Sequence, residues 1–140
     1  MASWDELRAH LRATCTVIRD DPEAFAVSWT MTAGDGELVQ GVGLAPMTVD
    51  GRPWLTMIAE LFVESELPAR LALLYQDRLA FGALVLREGF FVLRHGAPLA
   101  EVTHAELDWT LRTLAHEAAR LRLNVRQLGQ TSETFGNYAE

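Results

Sequence analysis

The stretch "LVLREGFFVLRHGAPLAEVTHAELDWTLRTLAHEAARL", residues 84–121, changes its hydrophobic period part-way along. Up to His95 it reads as two apolar strands joined by a tight turn at "REG". From Thr103 onward Leu107, Leu111, Leu114, Ala118, Leu121 and Val125 recur at spacings of three and four, which places them on one face of a helix. Thr103 and Glu106 form a capping box at the start of that helix, which is expected over about 104–124. Gly96 and Pro98 shape the connection, so the segment is a hairpin, a link and a long helix.

The same two periods recur upstream. "SWDE" at residues 3–6 is a second capping box, and Trp4, Leu7, Leu11 and Ile18 share one face of a helix expected over about 4–19, stopping near "RDDPE" at Pro22. In "FAVSWTM" Phe25, Val27, Trp29 and Met31 alternate with polar or small residues, as in a half-buried strand. "AGDGE" gives a turn, "LVQGVGLAPMTV" a second strand, "DGRP" another turn and "WLTMIAELF" a third strand. A middle helix follows over about 66–80, entered through Ser65 and Pro68, with Leu67, Leu71, Leu74 and Tyr75 on one face and Leu73, Ala69 and Ala80 on the other. The order is α-β-β-β-α-β-β-α. It predicts a single α+β domain over residues 1–125, with one antiparallel sheet of about five strands packed against helices, and a polar C-terminal tail over 126–140.

Composition limits the chemistry. Of 140 residues, 49% are hydrophobic and 22% charged, as in a globular protein. The formal charge is -7, from 19 acids against 12 cations, which disfavours nucleic acid and anionic membrane surfaces as partners. All the cations are arginine. Without lysine there is no Schiff base, no phosphate-loop lysine and no serine–lysine dyad. The lysine-free, Ala/Arg/Leu-rich usage also points to a GC-rich bacterial genome. The single Cys15 forms no internal disulfide, and "MASWDELRAHL" has neither a basic leader nor an apolar run long enough for membrane insertion; a cytoplasmic setting is expected.

Candidate chemistry is sparse. His95, His104 and Asp108 fall in or beside the strand-to-helix connection, and His104 and Asp108 are neighbours on one helix face. Two ligands do not make a metal site, and His116 lies about 120° around the helix from His104. "GVG" at 41–43 lacks the third glycine and the following helix of a dinucleotide loop, and is expected instead as small residues beneath a helix. Neither a G-x-S-x-G elbow nor an H-E-x-x-H motif occurs. Cys15 is expected as a structural thiol, and Glu60, Glu64 and Glu66 as a solvated acidic rim near a helix start. These readings predict no enzyme, cofactor or metal.

The element order, together with the hairpin of apolar strands, the connection around Leu93, Pro98 and Leu99, and the capped last helix, resembles the type III secretion chaperone-like family, the Tir-chaperone (CesT) and YbjN-like proteins. The resemblance spans about residues 3–125. It implies a secretion-chaperone-like fold and a dimeric binding scaffold: secretion chaperones hold an extended, non-globular segment of a client. No invariant catalytic residue defines the family, so none is carried over. The alternatives are a YbjN-like regulatory or interaction protein with no export role, or a small-ligand or metal binder using His104 and Asp108.

An apolar surplus supports binding independently of that resemblance. The middle helix has apolar residues on opposite sides, and in the hairpin Leu84 and Leu86 face away from Ala83 and Val85 while Phe90 and Val92 face away from Phe91 and Leu93. One sheet covers only one side of a helix, so a second subunit is expected against the other. Trp109 lies opposite the leucine stripe of the last helix, beside Arg112. Leu73, Leu84, Leu86, Phe90, Val92 and Trp109 are therefore the candidate partner-binding residues, for a homodimer and a client polypeptide. In the tail, Phe135 or Tyr138 is expected to lie against a sheet and mark a groove that a client would occupy.

Overall fold

In a computed structural model the described residues are 3–33, 36–79 and 81–136, of which Ala33 and residues 128–136 are described by backbone alone. Tyr138 lies outside the described residues and the side chain of Phe135 outside what is described, so the expectation for these two residues is not addressed.

Helix α1 spans Trp4–Thr14. The Ser3 hydroxyl accepts the Glu6 N–H at 3.1 Å and the Glu6 carboxylate accepts the Ser3 N–H at 3.4 Å, which closes the capping box. The helix stops short of the expected residue 19. Its continuation, "TCTVI" over residues 14–18, is rich in β-branched residues, which lose rotamer freedom in a helix and fit a pleated strand. Thr16–Asp20 accordingly form a strand, β1, and Ile18 is 61% exposed rather than on a helix face with Leu7 and Leu11.

The other strands are β2 (Phe25–Ala33), β3 (Gly36–Val49), β4 (Arg52–Val63), β5 (Ala83–Arg87) and β6 (Phe90–Pro98). Their order is β1-β2-β3-β4-β6-β5, with every neighbouring pair antiparallel; β1 brings the sheet to six strands. Two of the hairpins turn through Asp50–Gly51 and Glu88–Gly89, both residues of each pair having positive φ as a type I′ turn requires.

Helix α2 is Ala69–Arg78, entered through a 3-10 turn at Glu64–Glu66 with Pro68 just before its first residue. Its buried residue is Ala72; of the face expected to carry Leu67, Leu71, Leu74 and Tyr75, Leu67 is buried and Leu71 and Tyr75 pack against the core, whereas Leu74 is 54% exposed. The cause is how α2 meets β5: the Gln76 side chain accepts the Leu84 N–H, which turns the 72–76 line toward the strand and Leu74 outward. Helix α3 runs from His104 past the expected end near 124 to Gly136. Leu107, Leu111, Leu114, Ala118, Leu121 and Val125 are buried as the periodicity requires, and α3 crosses β2, β3, β4 and β6.

Register separates the two faces of the sheet. Phe25, Leu44, Met57 and His95 form one row across β2, β3, β4 and β6 on the helix side. The next row, Arg19–Ala26–Gly43–Ile58–Arg94–Ala83, crosses all six strands on the opposite face.

An exposed clamp ties α1 to β1: the Arg12 guanidinium donates two hydrogen bonds to Asp20, at 2.7 and 2.8 Å. That hydrogen bond, reinforced by the charges of Arg12 and Arg8, holds the Asp20 carboxyl below its ordinary value. A carboxyl lowered on folding adds stability above its unfolded pKa of about 3.9, and the contribution is lost as pH falls through the folded value. Asp20→Asn should therefore lower the melting temperature at pH 7 but make little difference at pH 2, as thermal denaturation at the two pH values will show.

Candidate functional site: a cleft between parting strands

β3 and β4 are paired from Val49–Arg52 to Gly43–Ile58, and among the described residues no ladder joins them further. Residues 36–42 of β3 stay with β2, while the end of β4 follows β6 through an irregularity between Glu60 and Phe62. The parting opens a cleft of about 760 Å³ on the helix-free side, lined by Val39, Gly41 and Gly43 of β3, Ile58 and Glu60 of β4, Phe90 and Val92 of β6, and Ile18 of β1. "GVG" thus supplies the floor of the cleft and does not lie beneath a helix. A methyl group at Gly43 would have only the carbonyl oxygens of Ile58 and Phe25 within 4 Å, at 3.8 and 4.0 Å.

Side chains satisfy the backbone where the ladder stops. Gln40, 1% exposed, donates from Nε2 to the Gly41 carbonyl at 2.9 Å and to the Glu60 carbonyl, on the opposite bank, at 3.0 Å. Arg122 of α3 donates from Nη1 to the Val39 carbonyl and to Gln40 Oε1, both at 3.0 Å. Burial lowers the Arg122 pKa, but a guanidinium stays charged in proteins, so a cation lies at the inner end of the cleft. The cleft therefore combines apolar walls with backbone carbonyls that accept from the Gln40 and Arg122 side chains.

The six residues singled out in the sequence fall in three places. Leu73, Leu84 and Leu86 line a second groove of about 530 Å³ between α2 and β5, with Leu73 73% exposed and Leu86 49% exposed. Phe90 and Val92 belong to the cleft on the other face; Val92 is buried in its wall, between Glu60 and Val85 in the register. Trp109 is 62% exposed and packs edge-on against Phe81 at 5.5 Å. Sequence reasoning missed the cleft itself. Its signal was two glycines at alternate positions of a strand otherwise rich in β formers, which marks a close approach.

The two histidines of the connection are not brought together. His95 stacks on Phe81 at 4.5 Å, and burial lowers its pKa. His104 stacks on His10 of α1 at 4.3 Å, and His10 Nε2 donates to Asp108 Oδ1 at 2.8 Å. Stacked rings lie nearly parallel, so their nitrogen lone pairs do not converge on one ion; among the described residues no group of three His, Cys, Asp or Glu side chains is arranged to hold a metal. Cys15 is half-buried at the end of α1 against the core, and Glu60, Glu64 and Glu66 are all exposed.

Comparison with known proteins bears on the fold. No family model and no curated protein matches the sequence. A solved structure does: one chain of the HopA1–SchA chaperone–effector complex superposes with a TM-score of 0.55 at 18% identity, over 83% of this chain and 89% of that one. The two chains share one α+β fold, an antiparallel sheet packed against helices, as expected from the sequence. No helix among the described residues is long and apolar enough to cross a membrane.

Proposed function

We propose that the protein is a non-enzymatic binding scaffold of the type III secretion chaperone kind. It works in the cytoplasm as a homodimer and holds an extended segment of a client polypeptide without turnover, metal or cofactor. The observation that carries this reading is the cleft between β3 and β4. An antiparallel sheet with helices on one side usually shows polar residues on the other, yet here Ile18, Val39, Ile58 and Val92 flank a glycine floor. An extended segment laid in the cleft gains apolar contacts from alternate side chains and meets the carbonyls of Val39, Gly41 and Glu60, whose second lone pair can accept a backbone N–H beside the side-chain donor each already has. The likeness to a chain of a chaperone–effector complex supports the same reading.

The test is amide hydrogen exchange with and without a tight-binding peptide selected from a random display library. Protection is expected along 37–42 and 59–61. Protection confined to the surroundings of His104 and Asp108 would instead favour a small-ligand or metal site.

The second groove serves the dimer. Leu73 and Leu86 expose large apolar side chains in it, and Leu74, next to Leu73 on α2, is exposed as well. Leu73→Glu brings one charge from each subunit into that contact, so sedimentation at micromolar concentration should show a shift from dimer to monomer with the fold unchanged.

A further inference from the structure

Four charged residues line the cleft between β3 and β4: Glu60, Arg87, Glu88 and Arg122. The first three belong to the strands and the β5–β6 turn and are exposed, so water weakens what their charges can do. Arg122 is different. It comes from α3, on the other side of the sheet, meets the cleft at the gap where the ladder stops, and is half-buried. Both of its hydrogen bonds, to the Val39 carbonyl and to Gln40 Oε1, leave from Nη1. Among the described residues Nη2 and Nε have no acceptor, and no ion pair involves Arg122; Arg126 repels it and Glu66 attracts it without pairing.

We infer that the client segment held in the cleft carries an aspartate or glutamate whose side-chain carboxylate pairs with Arg122, and that this pair sets the segment's register. This rests on the client-binding reading above and adds the chemistry of the client. Nη2 and Nε share one edge of the guanidinium, which offers a carboxylate two parallel hydrogen bonds. Burial has removed water from this cation, so an opposite charge gains more here than at an exposed arginine. The carboxylate belongs to a side chain because of depth. The segment lies over the helix-free face, against the carbonyls of Val39, Gly41 and Glu60, whereas Arg122 arrives from the helix side. A side chain pointing at the sheet spans that depth; a terminal carboxylate, in line with the backbone, reaches it only if the segment leaves those carbonyls. Residues two positions to either side point the same way and meet the apolar walls, Val39, Ile58 and Val92. Further acids are disfavoured, since the chain carries a net charge of -7 and Glu60 and Glu88 stand at the cleft. The expected client pattern is therefore one acid with an apolar residue two positions away on each side.

The test uses the full chain and the display-selected peptide of the exchange measurement, with binding read by fluorescence anisotropy. Selected peptides should share that pattern. Replacing the acid by its amide, glutamate by glutamine or aspartate by asparagine, should weaken binding by about tenfold or more, while amidation of the peptide's C-terminus leaves it unchanged. Arg122→Gln should weaken the parent peptide by a similar factor and abolish the difference between acid and amide peptides, with a thermal melt to check its folding. The comparison of acid and amide on the wild-type chain decides the matter even if that variant folds poorly. Peptides that protect 37–42 and 59–61 yet bind equally well as acid and amide, or that depend only on a free C-terminus, overturn the pairing and leave client binding in the cleft standing. A chain that selects no peptide, or only peptides that protect other residues, overturns both.

Discussion

Gly43→Phe is expected to weaken the binding of client segments by at least about tenfold, or about 1.4 kcal/mol, with the chain still folded. Gly43 sits in the row between Ala26 and Ile58, and its backbone is not in the left-handed region, so a larger residue is tolerated there without strain. The only atoms a Cβ would meet within 4 Å are two backbone carbonyl oxygens at ordinary contact distance. The aromatic ring can enter only the open cleft, where it takes the space an extended segment needs. Phenylalanine also suits a strand better than glycine, so stability should stay equal or rise slightly. Fluorescence anisotropy of a labelled peptide and a thermal melt separate the two effects.

The largest effect on stability is expected from Leu111→Ala, which should cost about 2–5 kcal/mol. Leu111 is fully buried on the face of α3 that crosses the sheet, between Leu107 and Leu114. Truncation removes apolar contact and leaves a cavity that neighbours anchored in both the sheet and the helix cannot easily fill. Chemical denaturation should show a lower midpoint with little change in slope. Trp109→Ala, two residues earlier on the exposed side, should change stability far less, since Trp109 keeps 62% of its surface in water.

Long periodic segments were legible from the residues alone. The leucine stripe of α3, the alternation in β2, the capping box of α1 and the Thr103 cap of α3, whose hydroxyl accepts the Glu106 N–H, each follow from a local rule, and the structure forms each of them. Ile18 shows where a local rule fails: it continues the spacing of Leu7 and Leu11, but the β-branched run from Thr14 competes for the same residues and makes a strand. Leu74 shows a second kind of limit, because the rotation of α2 is set by the Gln76 contact to β5, which is invisible until the two elements meet. The exposed apolar residues around Leu73 and Leu86 were readable as a surplus, without the split that assigns Phe90 and Val92 to a different face. The cleft was least legible. It depends on where one ladder ends, and the buried amide of Gln40 that bridges it looks in the sequence like any polar residue of a strand.

The central claim is that the cleft between β3 and β4 receives an extended segment of another polypeptide. Photo-crosslinking in the native host, with a benzoylphenylalanine placed singly at Val39 or Ile58 in the cleft and at Leu74 on α2, tests it most directly when the products are mapped by mass spectrometry. The expected result is that both cleft positions crosslink to the same short segment of one other protein, while position 74 crosslinks to a second copy of this chain. Crosslinks from 39 and 58 only to this chain, or spread without preference over many unrelated proteins, would contradict it.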